Sequence, residues 1–290
     1  HLFGAAKAGH TGALDPLATG MLPICFGEAT KFSQFLLNAD KHYQTTAKLG
    51  IKTASGDAEG DVLERRDIEG VSAAKVEALL KEHFSGEIIQ TPSMFSALKH
   101  QGQPLYKLAR KGIKVEVKKR KVSIHHIELL DIRDDELDLD IHCSKGTYVR
   151  SIVEDLGELL GCGAHVSVLR RLDSGPYKEA MMRTPEQIAE VAETAALGTD
   201  PESEKQIAYD ALDELLLPAW TAVEHLPVIQ LDEPQVALIK NGRKLILANA
   251  LADESPLLVR IIAEADGFFL GLGEVSNDGV LTPRRLMKTQ

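Results

Sequence analysis

The sequence predicts an α+β protein that carries a small C-terminal β-barrel. Three patterns predict it. Residue 42–51 alternates as a half-buried strand does, with Tyr43, Thr45, Ala47 and Leu49 on one face. Residues 146–161 hold Val149, Ile152, Val153, Leu156, Leu159 and Leu160 at the spacing of an amphipathic helix stopped by Gly161. After residue 227 the texture changes to short, close-set apolar runs separated by turn residues. A chain of 290 residues is long enough to bury a core without disulfides or structural metal.

In chain order, residues 4–31 form a loop punctuated by glycine and proline that leads into a helix over 29–37. The strand over 42–51 is followed by a polar loop at 52–61. Ser72 is placed to cap a helix running to about Phe84, with Val76, Leu79 and Leu80 inward. Residues 90–97 read as irregular and 105–111 as a short helix. Strands are expected at 115–130 and 137–142, then the helix that starts after Gly146. An acidic helical region covers 185–217 and a linker 218–227, with Trp220 in it as a packing residue. Strands are expected at 228–231, 244–248, 257–262, 268–275 and 280–286, with Asn277-Asp278-Gly279 as a hairpin turn. The domain division expected is 1–222 and 227–290.

Charge is distributed unevenly. The formal net charge is −10, which argues against indiscriminate binding to polyanions. Yet residues 99–121 hold nine Lys or Arg (Lys99, Lys107, Arg110, Lys111, Lys114, Lys118, Lys119, Arg120 and Lys121) against one acid, Glu116. Residues 185–214 hold nine acids against Lys205. A compact basic stripe on an acidic body suits a phosphate-bearing partner docked in one orientation, and on composition alone suits a solvated loop equally.

Several classes are excluded. No apolar run reaches the roughly 18 residues that a membrane span requires. Cys25, Cys143 and Cys162 make no disulfide framework, so a reduced, cytoplasmic protein is expected. Cys162 and His165 are half of a metal motif with no second pair, and no metal is expected. No glycine-rich dinucleotide or phosphate loop and no G-x-S-x-G elbow is present.

Three segments bear chemistry. Gly9-His10-Thr11-Gly12-Ala13-Leu14-Asp15-Pro16-Leu17-Ala18-Thr19-Gly20 puts one carboxylate in a loop of small, uncharged residues. Asp15 is a candidate nucleophile or base, or a carboxylate that only bonds turn amides. Cys143-Ser144-Lys145-Gly146-Thr147-Tyr148-Val149-Arg150-Ser151 is a strand-to-helix junction where Tyr148 and Arg150 flank buried Val149. An Arg there can hold an Asp ionised, or be an ordinary surface residue. Residues 90–99, continuing through Tyr106 and Arg110, interleave aromatics and cations as a surface for bases and phosphates does.

In this order, these segments closely resemble the TruB family of tRNA pseudouridine synthases. The aspartate motif is Gly9 to Gly20, the tyrosine strand Lys41-His42-Tyr43, the Q-x-P-x-x-S-A-x-K segment Gln90 to Lys99, and the Gly-Thr-Tyr-hydrophobic-Arg motif Gly146 to Arg150. The family's Lys-Pro-x-Gly segment, which precedes the aspartate loop, is not in this sequence, so an N-terminal segment is expected to be missing. The resemblance implies the pseudouridine synthase fold, a mixed and largely antiparallel sheet flanked by helices, with a C-terminal PUA-like domain.

It further implies isomerisation of uridine 55 in the tRNA T-loop, with no cofactor. Asp15 acts on a flipped-out uridine, as nucleophile at C1′ or C6 or as base at C2′. Arg150 pairs with Asp15, and Tyr43 stacks on the uracil near the C5 proton. Tyr148 and Leu169 line the pocket, and His10 holds the nucleotide out of its loop. The stretch 90–121 becomes an RNA clamp through Lys99, Lys107, Arg110, Lys118, Lys119, Arg120 and Lys121. The T-arm of tRNA is the partner, with no membrane, no obligatory protein partner and a monomeric state expected. Two other functions are weighed against this one: an RNA-binding, tRNA-folding chaperone, and a guide-RNA-dependent synthase subunit.

Overall fold

A computed structural model describes residues 2–113, 115–198, 200, 203–247 and 256–288. Lys114 of the basic stripe and Ala248, the expected end of a strand, lie outside the described residues.

The chain begins with short strands β1 (Ala8–His10), β2 (Thr19–Gly20) and β3 (Ile24–Phe26), a 3₁₀ turn at Gly27–Phe32, and helix α1 (Ser33–Asn38). Strand β4 (Lys41–Leu49) follows, then the hairpin of β5 (Ile51–Thr53) and β6 (Val62–Arg65). The expected loop over 52–61 is thus strand at its start. Helix α2 (Ala73–His83) begins where Ser72 Oγ accepts from the Lys75 amide at 3.4 Å. Next come β7 (Gly86–Gln90), β8 (Lys99–His100), β9 (Gln103–Pro104), α3 (Leu105–Ala109), β10 (Arg120–Arg133) and β11 (Glu136–Cys143). The strand expected from residue 115 starts at Arg120, because residues 115–119 make no ladder bonds.

Helix α4 (Val149–Leu160) ends at Gly161 in the left-handed region, φ 91°. Strand β12 (Ala164–Ser174) has no counterpart among the strands expected from alternation, although it pairs with β4 along its whole length. Two register shifts, at Val166/Val168 and Arg171/Asp173, break its period of two and hide it. Helices α5 (Pro185–Ala196) and α6 (Glu204–Asp213) form the acidic region, and β13 (Val228–Leu231) follows. Helix α7 (Glu233–Lys240) was not expected; a reciprocal Asp232/Gln235 capping box starts it. Strands β14 (Leu245–Ile246), β15 (Leu257–Ala263), β16 (Phe269–Val275) and β17 (Val280–Leu286) complete the chain.

The chain divides into two compact units. One comprises residues 12–23 and 37–182. Its six-stranded sheet has the order β2-β12-β4-β11-β10-β7, antiparallel except for the β2–β12 pair. Leu137, Leu139 and Ile141 of β11, and Ala47 and Leu49 of β4, pack against Ile152, Val153 and Leu156 of α4 and Val76 and Leu80 of α2. Gly157 lets α4 come this close: a Cβ there would lie 2.3 Å from the Ala164 nitrogen.

The other unit comprises residues 1–11, 24–36 and 183–290. Its five-stranded sheet runs β13-β15-β16-β17-β14, a half-barrel around Leu231, Ile239, Val259, Ile261 and Leu281. The 277–279 turn is present, with the Gly279 amide donating to the Ser276 carbonyl at 2.9 Å. The 3₁₀ turn at Gly27–Phe32 belongs to this unit: the rings of Phe32 and Phe269 lie 5.3 Å apart, and Lys31 Nζ donates to the Leu286 carbonyl at 2.7 Å. The stretch 218–227 is not a free linker. Ala222 and Val223 of a 3₁₀ turn are buried, and the Arg260 guanidinium lies over the Trp220 ring at 5.8 Å. Compactness groups 183–226 with the C-terminal strands.

Candidate active site

β4 and β12 form the floor of a cavity of about 110 Å³ lined by Leu14, Asp15, Tyr43, Tyr148, Leu169 and Arg171, among others. Register explains the floor: Tyr43 of β4 stands opposite Arg171 of β12, and Leu169, two residues before Arg171, shares its face, so these three side chains meet at the cavity. The Asp15 loop closes over it. Gly20 has φ 101° and a Cβ there would fall 2.1 Å from the Arg171 carbonyl oxygen, so only glycine lets β2 pair at this point. Met21 N–H donates to that same carbonyl at 2.7 Å, and Arg171 Nε donates to the Met21 carbonyl at 2.6 Å. The loop ends in a turn in which the Ala18 amide donates to the Asp15 carbonyl at 2.8 Å.

Arg150, in the first turn of α4, has a side chain only 3% exposed, whereas that of Asp15 is 34% exposed. Arg150 Nη2 donates to Asp15 Oδ1 at 3.0 Å, and Nε lies 2.8 Å from Oδ2 as an ion-pair contact. Nη2 also donates to the Phe95 carbonyl at 2.9 Å, and Nη1 to the Ser55 carbonyl at 2.9 Å. A second carboxylate, Asp57, lies 3.4 Å from Nη1 and is buried. It accepts from Ser55 Oγ at 2.5 Å and from the Glu59 amide at 3.1 Å. One buried cation thus sits between two carboxylates, one locked away and one presented to the cavity.

Burial pushes the Asp15 carboxyl above the usual carboxylate range, and the nearby Asp57 charge adds to this; Arg150 pulls in the opposite direction without cancelling it. Burial likewise raises the Tyr43 phenol, with Arg171 opposing, so Tyr43 enters neutral chemistry as a protonated ring.

Tyr148 stands at the N-cap position of α4. Gln90, itself buried, clamps its backbone at both ends: Gln90 Nε2 donates to the Tyr148 carbonyl at 2.9 Å and Oε1 accepts its amide at 2.8 Å. The Tyr148 ring packs under the Arg120 guanidinium at 5.3 Å. Leu169 is buried in the floor. His10 is exposed at the end of β1 and belongs to the other compact unit.

The cations of the stripe divide into two groups. Arg120 is half-buried against Tyr148, while Lys99, Lys107, Arg110, Lys118, Lys119 and Lys121 are exposed. Arg110 lies over the Tyr106 ring at 5.7 Å, and Lys121 Nζ is held by Glu87 Oε1 at 2.7 Å. Sequence reasoning missed Asp57 and Arg171. Asp57 sits in what reads as a polar loop. Two adjacent arginines between Leu169 and Leu172 are the signal for Arg171.

Comparison with known proteins follows the same outline. Residues 1–149 match the model described as TruB family pseudouridylate synthase (N terminal domain). Residues 150–224 match the tRNA pseudouridylate synthase B C-terminal domain, and 227–287 the C-terminal model of pseudouridine synthase II TruB. The chain is 50% identical over 286 residues to a tRNA pseudouridine synthase B of Shewanella woodyi, covering 99% of this chain and 87% of that one. It is 49% identical to the protein of the same name from Vibrio cholerae, covering 99% and 88%. Among solved structures it is similar to a chain described under "Crystal Structure of a Cbf5-Nop10-Gar1 Complex". There the TM-score is 0.70 at 27% identity, covering 99% of this chain and 78% of that one.

Proposed function

Because the chain belongs to the TruB family of pseudouridylate synthases, we propose that it isomerises uridine 55 in the T-loop of tRNA to pseudouridine, with Asp15 as the catalytic residue. The observation that carries this reading is the Asp15–Arg150 pair at the rim of a cavity whose floor is Tyr43 and Leu169. The reaction breaks the N1–C1′ bond and joins C5 to C1′; the C5 proton leaves and N1 gains one. It is redox-neutral, and its one demand on the protein is a fixed carboxylate beside the sugar together with a surface on which the base can turn. Arg150 supplies the fixing, because its other donors are anchored to the Ser55 and Phe95 carbonyls.

The uridine must leave its stack to reach Asp15. Tyr43 is the stacking face for the uracil, Tyr148 and Leu169 bound it, and His10 helps hold the nucleotide out of its loop. Lys99, Lys107, Arg110, Lys118, Lys119, Arg120 and Lys121 bind the T-arm backbone, and the unit holding β13–β17 is the PUA-like, RNA-binding part. No helix among the described residues is long and apolar enough to cross a membrane. The proposed setting is the cytoplasm, as a monomer without an obligatory protein partner.

A guide-dependent reading is favoured by the likeness to chains in Cbf5 complexes. Identity near 50% along the whole chain to proteins named tRNA pseudouridine synthase B favours the stand-alone reading more strongly. The test is incubation with an unmodified T-arm stem-loop, counting pseudouridine in digested nucleosides. Product from the chain alone, and none from Asp15→Asn at tRNA affinity within a few-fold, is the expected result. Turnover by Asp15→Asn overturns the role of Asp15, and turnover only with added RNA and protein returns the guide-dependent reading.

A further inference from the structure

Successive residues of β4 point to opposite faces, so while Tyr43 faces the cavity, His42 faces the side of the sheet opposite α2 and α4. On that side the registers line up two neighbouring cross-strand rows. His126, His142, His42 and Asp173 form one, and Glu128, Asp140 and Gln44 the other. A register shift between Ile124 and His126 brings His125 in as well: its ring lies 5.2 Å from that of His142, and its Nε2 lies 3.1 Å from Asp40. Four histidines from three strands therefore share one patch that the proposed reaction does not use.

We infer that this patch is a binding site for a divalent transition-metal ion of the zinc class, with His126, Glu128, Asp140 and His42 as ligands. His126, Glu128 and Asp140 each offer a ligand atom, all within 4.8 Å of one another. Zinc bonds of about 2.0–2.2 Å place tetrahedral ligand atoms roughly 3.3–3.6 Å apart. His126 Nε2 and Glu128 Oε2 are already 3.4 Å apart. His42 Nε2 lies 2.7 and 2.8 Å from the two Asp140 oxygens, which makes it the neighbouring imidazole for the fourth corner once it turns from Asp140 to the ion.

The supporting contacts have the form that metal-bound imidazoles and carboxylates take. The other ring nitrogen of His42, Nδ1, faces Asp173 Oδ2 at 3.5 Å, a carboxylate placed to take the Nδ1 proton once Nε2 gives up its proton to Asp140 or solvent and turns to a metal. Lys178 Nζ holds Asp173 at 3.0 Å, and Gln44 Nε2 donates to Asp140 at 3.4 Å. Two imidazoles with two carboxylates suit zinc better than magnesium or calcium, which prefer oxygen ligands alone. The ion would clip β4, β10 and β11 together.

The test uses the whole chain with Zn²⁺ and Co²⁺ as probes. Equilibrium dialysis is expected to give one Zn²⁺ per chain, and Co²⁺ an intense visible absorption typical of four-coordination. Saturating Zn²⁺ should raise Tm, as any ligand of the folded state does. His126→Ala and Glu128→Gln, both at exposed positions, should weaken Zn²⁺ at least tenfold and abolish the cobalt spectrum. Asp173→Asn should weaken it about tenfold through orientation alone, and His125→Ala should leave it intact. Pseudouridine formation by His126→Ala should match that of the parent, since this face is not the cavity face. Absence of stoichiometric Zn²⁺, binding unchanged in His126→Ala and Glu128→Gln, or a weak six-coordinate cobalt spectrum overturns the inference. The His42–Asp140 contact is then an ordinary hydrogen bond.

Discussion

Arg150 acts on two carboxylates of unequal freedom, and the difference assigns their roles. Asp57 is enclosed and bonded on three sides, so its charge serves to aim the guanidinium; Asp15 is partly open and is the one that can meet a substrate. Asp57→Asn keeps the shape but removes one charge from the pair. Hydrogen bonds to charged groups contribute about 1.5–3 kcal/mol, or roughly 10- to 100-fold in rate. The expected result is a kcat lower by that factor with KM for tRNA little changed, read from single-turnover and steady-state kinetics. An equal rise in KM would show that Asp57 shapes binding instead. Asp15 also predicts a pH profile. Its folded carboxyl is raised by burial, so the acid limb of kcat/KM should lie above the ordinary Asp value of about 3.9. A limb at or below that value would show that Arg150 outweighs burial.

Helix α4 positions Arg150 at its first turn, and two of its other residues set how well it docks. Glu154, one turn after Arg150, packs against the 53–57 loop: a Cβ on Gly56 would lie 2.7 Å from its carboxyl carbon. Burial pushes Glu154 up to about 7, above an ordinary carboxyl near 4.5. In the unfolded chain it ionises first, so the folded state holds the extra proton between those values, and stability falls as pH rises through that window. Glu154→Gln should therefore be nearly neutral at pH 5 and stabilising at pH 8. The gain should be about 1–2 kcal/mol, given about 1.4 kcal/mol per pKa unit and screening by water. Thermal melts at the two pH values check the sign. Gly157→Ala should do the opposite at every pH, destabilising by about 1–3 kcal/mol, because the new methyl meets fixed backbone of β12.

At the scale of the molecule, charge is sorted rather than balanced. A net charge of −10 keeps the body from binding polyanions at random, while exposed Lys118 and Lys119 lie beside Arg120, which packs on Tyr148 at the cavity. Each phosphate contact releases counterions, so replacing Lys118 and Lys119 with Ala should weaken tRNA binding and reduce the slope of log affinity against log salt by about 0.7–0.9 per lost contact. Adding Lys121→Ala should change the slope less, since Glu87 already holds that cation. Filter-binding titrations over a salt series give the slopes; an unchanged slope for the double variant would make the stripe a solvated loop.

Much of this was legible in the residues themselves, where local physics decides. The alternation in β4 and the apolar spacing and glycine stop of α4 are near-neighbour properties, and they set the extents of both elements to within a few residues. The Asp15 loop and the Tyr148–Arg150 junction stood out because their residue types are unusual for the places they occupy. What only the tertiary structure decided depends on partners far apart in sequence. Strand β12 exists because β4 lends it a ladder across more than a hundred residues, and two bulges erase its periodicity. Asp57 becomes part of the site because the backbone of its loop meets Arg150. The stretch 218–227 is ordered by burial of Ala222 and Val223, not by its own propensities. The histidine patch is assembled by register alone: its residues are scattered from 42 to 142 and become neighbours only when three strands are laid side by side, a long-range pairing that near-neighbour patterns do not encode.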